Sequence, residues 1–329
     1  MENIQIPHNL SISNCNMLAL NLYGLPLEEE YNLLLNLGNT EPFGMLYAGA
    51  IIRQFFYRNK AKITADIHPS TSYPLNMGFY KSIGFNLGKK PGEGNISDNH
   101  LPIEYLNIKD LDQKAKDNKE LIQETINSKA KDLSIVLSRG EELLNKYLQF
   151  SLREIMRNVI EHAIADKIWL AGQYWQTRDL VEIAILDEGM GIYESLSRNK
   201  KLNISNNEVA LHYSLQPGIS RMVPNKRNQY DAWANSGYGL FMTSSLCKNL
   251  GGDFVMSSGN KMIFVKDDKE IFYETNFTGT AIRLRLKPSQ IQDSDLLTKI
   301  SKEGRKIIQK KGSGVLNKPS KSSTSFMDD

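Results

Sequence analysis

Apolar residues recur at two distinct periods along this chain, and the alternation between them predicts its elements. In LQFSLREIMRNVIEHAI, Leu148, Leu152, Ile155 and Val159 follow one another at steps of four, three and four, which defines a helix with one buried stripe. A second helix is predicted over Phe43–Arg58, where Leu46, Ala50, Ile51 and Phe55 keep helical spacing. Val181, Ile183, Ile185 and Leu186 in VEIAILDEGMGI read instead as a buried strand, preceded by a turn-like stretch around Gly172 and Thr177. In ETNFTGTAIRLRL a tight turn at Gly279 leads into a strand that alternates Ile282, Leu284 and Leu286 with Arg283 and Arg285. NSGYGLFMTSSLCKNLGG places two glycines just ahead of a helix built on Leu240, Met242, Leu246 and Leu250.

These elements group into four regions. Residues 1–102 read as a small α/β domain. Its stretch ITADIHPSTSYPLNMGFYKSIGF is a strand, a Pro-rich connection and a short helix, and a polar boundary rich in Gly and Pro closes it at 92–102. Residues 103–146, rich in Lys and Glu with scattered Leu and Ile, read as a helical linker with one amphipathic face, suited to connection or to homodimer formation. Residues 147–290 carry the motifs described below. Residues 291–329 form a basic, partly disordered tail, with Lys299, Lys302, Arg305, Lys306, Lys310 and Lys311 on a short helix before the end GSGVLNKPSKSSTSFMDD. A solvated tail is the plain reading of that segment, and contact with nucleic acid or an acidic partner is the alternative.

Composition narrows the class. At 329 residues the chain suits two cores better than one, and 40% hydrophobic with 23% charged residues is enough apolar material to fold them. A net charge of +3 gives the surface as a whole no reason to bind a phosphate backbone. Cys15 and Cys247 sit far apart in apolar surroundings, as two reduced, buried thiols would, and a reducing cytoplasm is the simplest home. No apolar run approaches the length of a bilayer span, so no membrane association is expected.

Four motifs carry candidate chemistry. Glu154, Asn158 and His162 stack one turn apart on the helix, where a carboxylate suits general-base work and a carboxamide oxygen suits magnesium. Polar residues at that spacing are also what any solvated helix face shows. Asp187 stands at a strand end, able to accept a hydrogen bond from an exocyclic amine, with Gly189 and Gly191 letting backbone approach a ring; a turn with an ordinary cap is the plain alternative. Gly237 and Gly239 precede a helix whose first amides and dipole favour phosphate. Thr280 offers a hydroxyl. In the first domain His68 lies beside two serines and a threonine, for which turn formation outweighs nucleophilic catalysis because no orienting acid is identifiable.

In this order and over this span, the four motifs resemble the GHKL (Bergerat-fold) superfamily of gyrase, MutL, the heat-shock chaperone ATPases and the histidine kinases. EIMRNVIEHA resembles the family's Asn-containing box, which puts Asn158 at the magnesium ion and Glu154 in the place of the general base. DEGMGI resembles the first glycine box, so that Asp187 would contact the adenine amine while Gly189 and Gly191 line the base. SGYGL resembles the second, with Gly237, Gly239 and Leu240 at the nucleotide, and TGTAI the last, with Thr280 on the adenine side. The resemblance covers less than half of the chain. It implies an α/β fold, a two-layer α+β sandwich of a mixed sheet with helices on one face. It also implies a lid over Tyr193–Ser236 in which Arg221, Lys226 and Arg227 are candidate phosphate contacts, surface solubility being their equal alternative.

ATP with Mg2+ is therefore the expected ligand, and hydrolysis coupled to lid closure and to regulation of a protein partner the expected activity. The alternatives are a serine/threonine kinase of the anti-sigma type and a nucleotide-dependent interaction module without turnover. Histidine kinase activity in cis is disfavoured, because residues 103–161 contain no histidine to serve as acceptor. The first domain loosely resembles the small sulfate-transporter/anti-sigma-antagonist type, which implies a bacterial or phage-associated regulator or defence component.

Overall fold

Two β-sheets, with helices between and beyond them, organise the computed structural model of the chain, which describes residues 1–38, 40–94, 99–221 and 237–311. The first sheet is parallel, in the order β1 (Glu2–Gln5), β2 (Tyr31–Leu35) and β3 (Ile63–Ile67). Helices α1 (Ile12–Gly24) and α2 (Pro42–Arg58) make its crossovers. Two short helical turns follow, α3 (Tyr73–Asn76) and α4 (Phe79–Ser82). The helix predicted over Phe43–Arg58 thus forms with its bounds almost unchanged, started by Pro42, whose fixed φ suits the first helical position.

The second sheet is antiparallel at every pairing, in the order β4-β5-β6-β8-β7, so the expected mixed sheet is corrected. Its strands are β4 (His100–Asn107), β5 (Lys167–Trp175), β6 (Leu180–Asp187), β7 (Asp253–Lys266) and β8 (Lys269–Leu286). The segment read as a helical linker opens with an edge strand of this sheet, because Glu104–Asn107 pair with Leu170–Lys167. Only then come the helices α5 (Ile108–Asn118), α6 (Ile122–Ser138) and α7 (Glu142–Asn158). Gly172 lies inside β5 and the turn falls at Gln176–Arg178; a Cβ on Gly172 would meet Leu137 Cδ1 at 2.6 Å, so this glycine lets α6 approach the sheet. Gly279 likewise sits within β8 rather than in a turn.

Both faces of the antiparallel sheet are covered, which corrects the expectation of helices on one face. Val181, Ile183 and Ile185 join a core with Leu148, Leu152 and Ile155 of α7 and with Met242 and Leu246 of α10 (Gly239–Asn249). Ala184, Leu186, Trp169 and Ala281 project from the rear into a second core shared with Leu46, Tyr47 and Phe55 of α2 and with Leu33 and Leu35 of the parallel sheet. Strand periodicity produces this division, since alternate residues of β6 face opposite cores. Polar anchors fix α2 on the rear face. Glu182, fully buried, accepts the Phe43 amide at 2.8 Å in the first turn of the helix and Arg285 Nε at 2.7 Å. One turn further on, Tyr47 Oη lies 2.8 Å from Ser257 Oγ and 2.7 Å from Thr275 Oγ1.

The expected basic helix forms, and the end of the chain after it, 312–329, lies outside the described residues. Helix α11 (Leu296–Lys311) buries Leu297, Ile300 and Ile308 against the core and leaves Lys302, Arg305, Lys306 and Lys310 exposed. Gly304 makes its fit possible, since a Cβ there would meet Phe241 at 2.7 Å and Tyr238 at 2.9 Å. Cys15 and Cys247 are free and buried, and burial pushes the Cys15 thiol up to about 12. Among the described residues no helix is long and apolar enough to cross a membrane.

Candidate functional site

The end of α7 does not stop cleanly. After Asn158 the chain widens into one π-helical turn, Val159–Ala163, and leaves through Ile164 at a φ of 51°. A π-turn offsets carbonyls that an α-helix would use internally, and such turns gather at functional sites. Here the Ala163 carbonyl accepts the Met190 amide from the DEGMG loop. Gly189 makes that contact possible, because its Cβ would fall 2.2 Å from Ala163 O.

Strand register brings the last motif to the same place. Asp187 at the end of β6 pairs with Thr280 of β8, so residues 93 positions apart in sequence become cross-strand neighbours. Gly279, at a φ of 102°, packs flat against this junction; a Cβ would lie 2.1 Å from Asp187 O. Only a residue without a side chain serves there. The Asp187 carboxyl is buried, and burial pushes it from 3.8 up to about 7, although the Gly189 amide at 2.9 Å and the Thr280 amide stabilise its ionised form. The like charge of Glu188 pushes it the same way as burial.

These pieces enclose a cavity of about 750 Å3, its mouth included. Asp187, Gly191 and Thr280 line one end, and Asn158 and His162 come from α7 and the π-turn. Gly237, Gly239 and Leu240 border it at the start of α10. Ile155, Met190 and Ile282 add apolar wall. Gly237, at a φ of 69°, presses on Ile219 so closely that a Cβ would meet its carbonyl at 2.1 Å. That contact ties the glycine turn to the segment bearing Ser220 and Arg221.

Glu154 stands apart. It does not border the cavity, and its Oε1 is held by Arg153 at 2.8 Å and faces Arg157 at 3.8 Å. Its Oε2 lies against Gly239, 2.7 Å from where a Cβ would be, so the carboxylate abuts the first residue of α10. Gly189 also lies off the cavity wall and acts by packing. His162 lines the cavity; burial and the Arg221 charge push it down to about 4, so it stays neutral near pH 7.

Of the expected lid, residues 193–221 are described, and part of them packs into the core, while 222–236 lie outside the described residues. Helices α8 (Ile192–Ser197) and α9 (Asn207–Ser214) form its first half, and Leu211 and Leu215 are buried. Arg221 borders the cavity and donates from Nη2 to the Glu161 carbonyl at 2.9 Å. Lys226 and Arg227 lie outside the described residues. His68 is exposed, and Ser70 is bonded to Asn36, an arrangement of turn residues.

Sequence reasoning missed Ser258. Its hydroxyl accepts the Ile192 amide at 2.9 Å and donates to the Gly279 carbonyl at 2.7 Å, tying the DEGMG loop to β8, and a Cβ on Gly191 would meet it at 2.8 Å. A hydroxyl pair directly after the apolar run Phe254–Met256 was its only signal. No family model matches the chain, and no curated protein matches it.

Proposed function

We propose that this cavity binds ATP with magnesium in the manner of the GHKL superfamily, and that the chain hydrolyses it and couples the event to a protein partner. The observation that carries this reading is convergence: Asn158, Asp187, Gly191, Gly237, Gly239, Leu240 and Thr280, from four motifs spread over more than a hundred residues, border one cavity. An adenine fits its Asp187 end, where a buried carboxylate can accept from the exocyclic amine and apolar side chains can pack the ring. Phosphates fit the start of α10, where Tyr238 supplies no side-chain cap and a helix N-terminus favours an anion. Magnesium takes few protein ligands and keeps phosphate and water oxygens, so the single carboxamide of Asn158 suits it. Bound metal would supply charge neutralisation at the phosphates; Glu154 would orient the water.

One observation favours a second reading, a nucleotide-dependent interaction module without turnover. Glu154 is buried in its pair with Arg153 and lies off the cavity wall, so general-base work requires that pair to open. Turnover of Mg-ATP by the full chain, beside Glu154→Gln, decides between them. Turnover lost in the variant with binding kept supports hydrolysis; a wild type that binds without turnover supports the module.

A further inference from the structure

Helix α2 belongs to the N-terminal parallel sheet, yet its last turns reach the two segments that flank the Asp187 end of the cavity. Arg53 Nε lies 3.3 Å from both carboxylate oxygens of Glu188, and its Nη2 is 3.1 Å from Oε2. The guanidinium also stacks on the Trp169 ring, 4.0 Å from its centroid, and donates to the Ser82 carbonyl at 3.3 Å. Gln54, the next residue, makes a reciprocal pair with Thr278: Nε2 donates to the carbonyl at 2.8 Å and the Thr278 amide donates to Oε1 at 3.0 Å. Glu188 follows Asp187 directly, and Thr278 stands two residues before Thr280. Two adjacent side chains of one helix therefore grip both segments that form the Asp187 end of the cavity.

We infer that Arg53 and Gln54 are positioning residues for the nucleotide, through which the N-terminal unit sets the affinity of the cavity. The inference rests on the ATP reading proposed above. Helix α2 is suited to transmit such an influence because it is anchored along its length, by Glu182 at its first turn and by Tyr47 in its middle, while Phe55 packs edge-on to Tyr31 of the parallel sheet at 5.4 Å. A ligand or partner that shifts the N-terminal unit moves α2, and with it both grips. By linkage, occupancy of the cavity tightens the docking of the unit by the same factor.

The test compares the full wild-type chain with Arg53→Met and Arg53→Lys. Mg-ATP affinity is measured by calorimetry, and amide hydrogen exchange at 187–191 and 278–281 is measured without nucleotide. Methionine keeps the apolar volume over Trp169 and removes the grip. The expected result is an affinity at least about fivefold weaker in Arg53→Met, partial recovery in Arg53→Lys, and faster exchange in both segments. A residue that only filled space would leave the methionine variant unchanged, and unchanged affinity and exchange there would overturn the inference. If the wild type binds no ATP, the ATP reading fails by itself; the grip is then judged by exchange alone, and unaltered exchange in Arg53→Met overturns it too.

Discussion

Replacing Asp187 by Asn should make the protein more stable as the pH rises while it removes nucleotide affinity. Burial holds this carboxyl near 7 in the fold against an ordinary 3.8. A raised folded value means that the native state keeps a proton the unfolded chain has already lost, so the contribution is complete below about pH 4 and is lost as pH rises through about 7. At about 1.4 kcal/mol per pH unit, the burden of ionising or keeping Asp187 protonated is about 1.6 kcal/mol at pH 5 and about 4 kcal/mol at pH 8. Asparagine is the same shape, can still accept the Gly189 amide, and carries no charge to desolvate. Urea unfolding of both proteins at pH 5, 6, 7 and 8 should therefore show the variant gaining on the wild type by about 2 to 3 kcal/mol across the series, at constant denaturant slope. A gap that does not change with pH, or a wild type that gains on the variant as pH rises, would refute the reasoning.

Three other outcomes follow from particular contacts. Gly189→Ala places a Cβ 2.2 Å from the backbone carbonyl of Ala163, which cannot give way as a flexible side chain would, and should cost about 1 to 3 kcal/mol by urea unfolding while weakening ATP binding. Glu182→Ala leaves Arg285 without its buried partner and the first turn of α2 without its acceptor. A loss of about 3 to 5 kcal/mol is expected, and a loss under 1 kcal/mol would show that the network is not what holds α2 to the sheet. His162, held down to about 4, is neutral from pH 5 upwards, so stability should fall as pH drops from about 6.5 towards 4; in His162→Gln that acid slope should shrink, and an unchanged slope would place the titrating group elsewhere.

Much of the site was legible because its requirements are local. A strand that ends in Asp187, a helix that follows Gly239 and an apolar stripe through Ile155 and Val159 each announce themselves by period and by residue type. The same period was silent about partners. Arg283 and Arg285 alternate with apolar neighbours as exposed residues would, but the face they occupy is covered by α2, where Arg283 meets Asp253 at 2.6 Å and Arg285 meets Glu182. Nothing local to either arginine specifies a helix more than two hundred residues away. Helical spacing places the Glu154 carboxylate one turn from Asn158, yet spacing cannot report that the preceding Arg153 folds back onto it. Gly172 and Gly279 read as turns because glycine favours turns; both are instead strand residues at which another element approaches too closely for a Cβ. The basic helix was legible as a helix but not as part of the core, because its charge hid the stripe of Leu297, Ile300 and Ile308.

The most direct test of the ATP-binding account is calorimetric titration of the full chain with Mg-ATP at pH 8, beside Asp187→Asn shown to be folded. Saturable one-site binding by the wild type, lost in the variant, is the predicted result. A folded wild type that binds no ATP, or an Asp187→Asn variant that binds as tightly as the wild type, would contradict it.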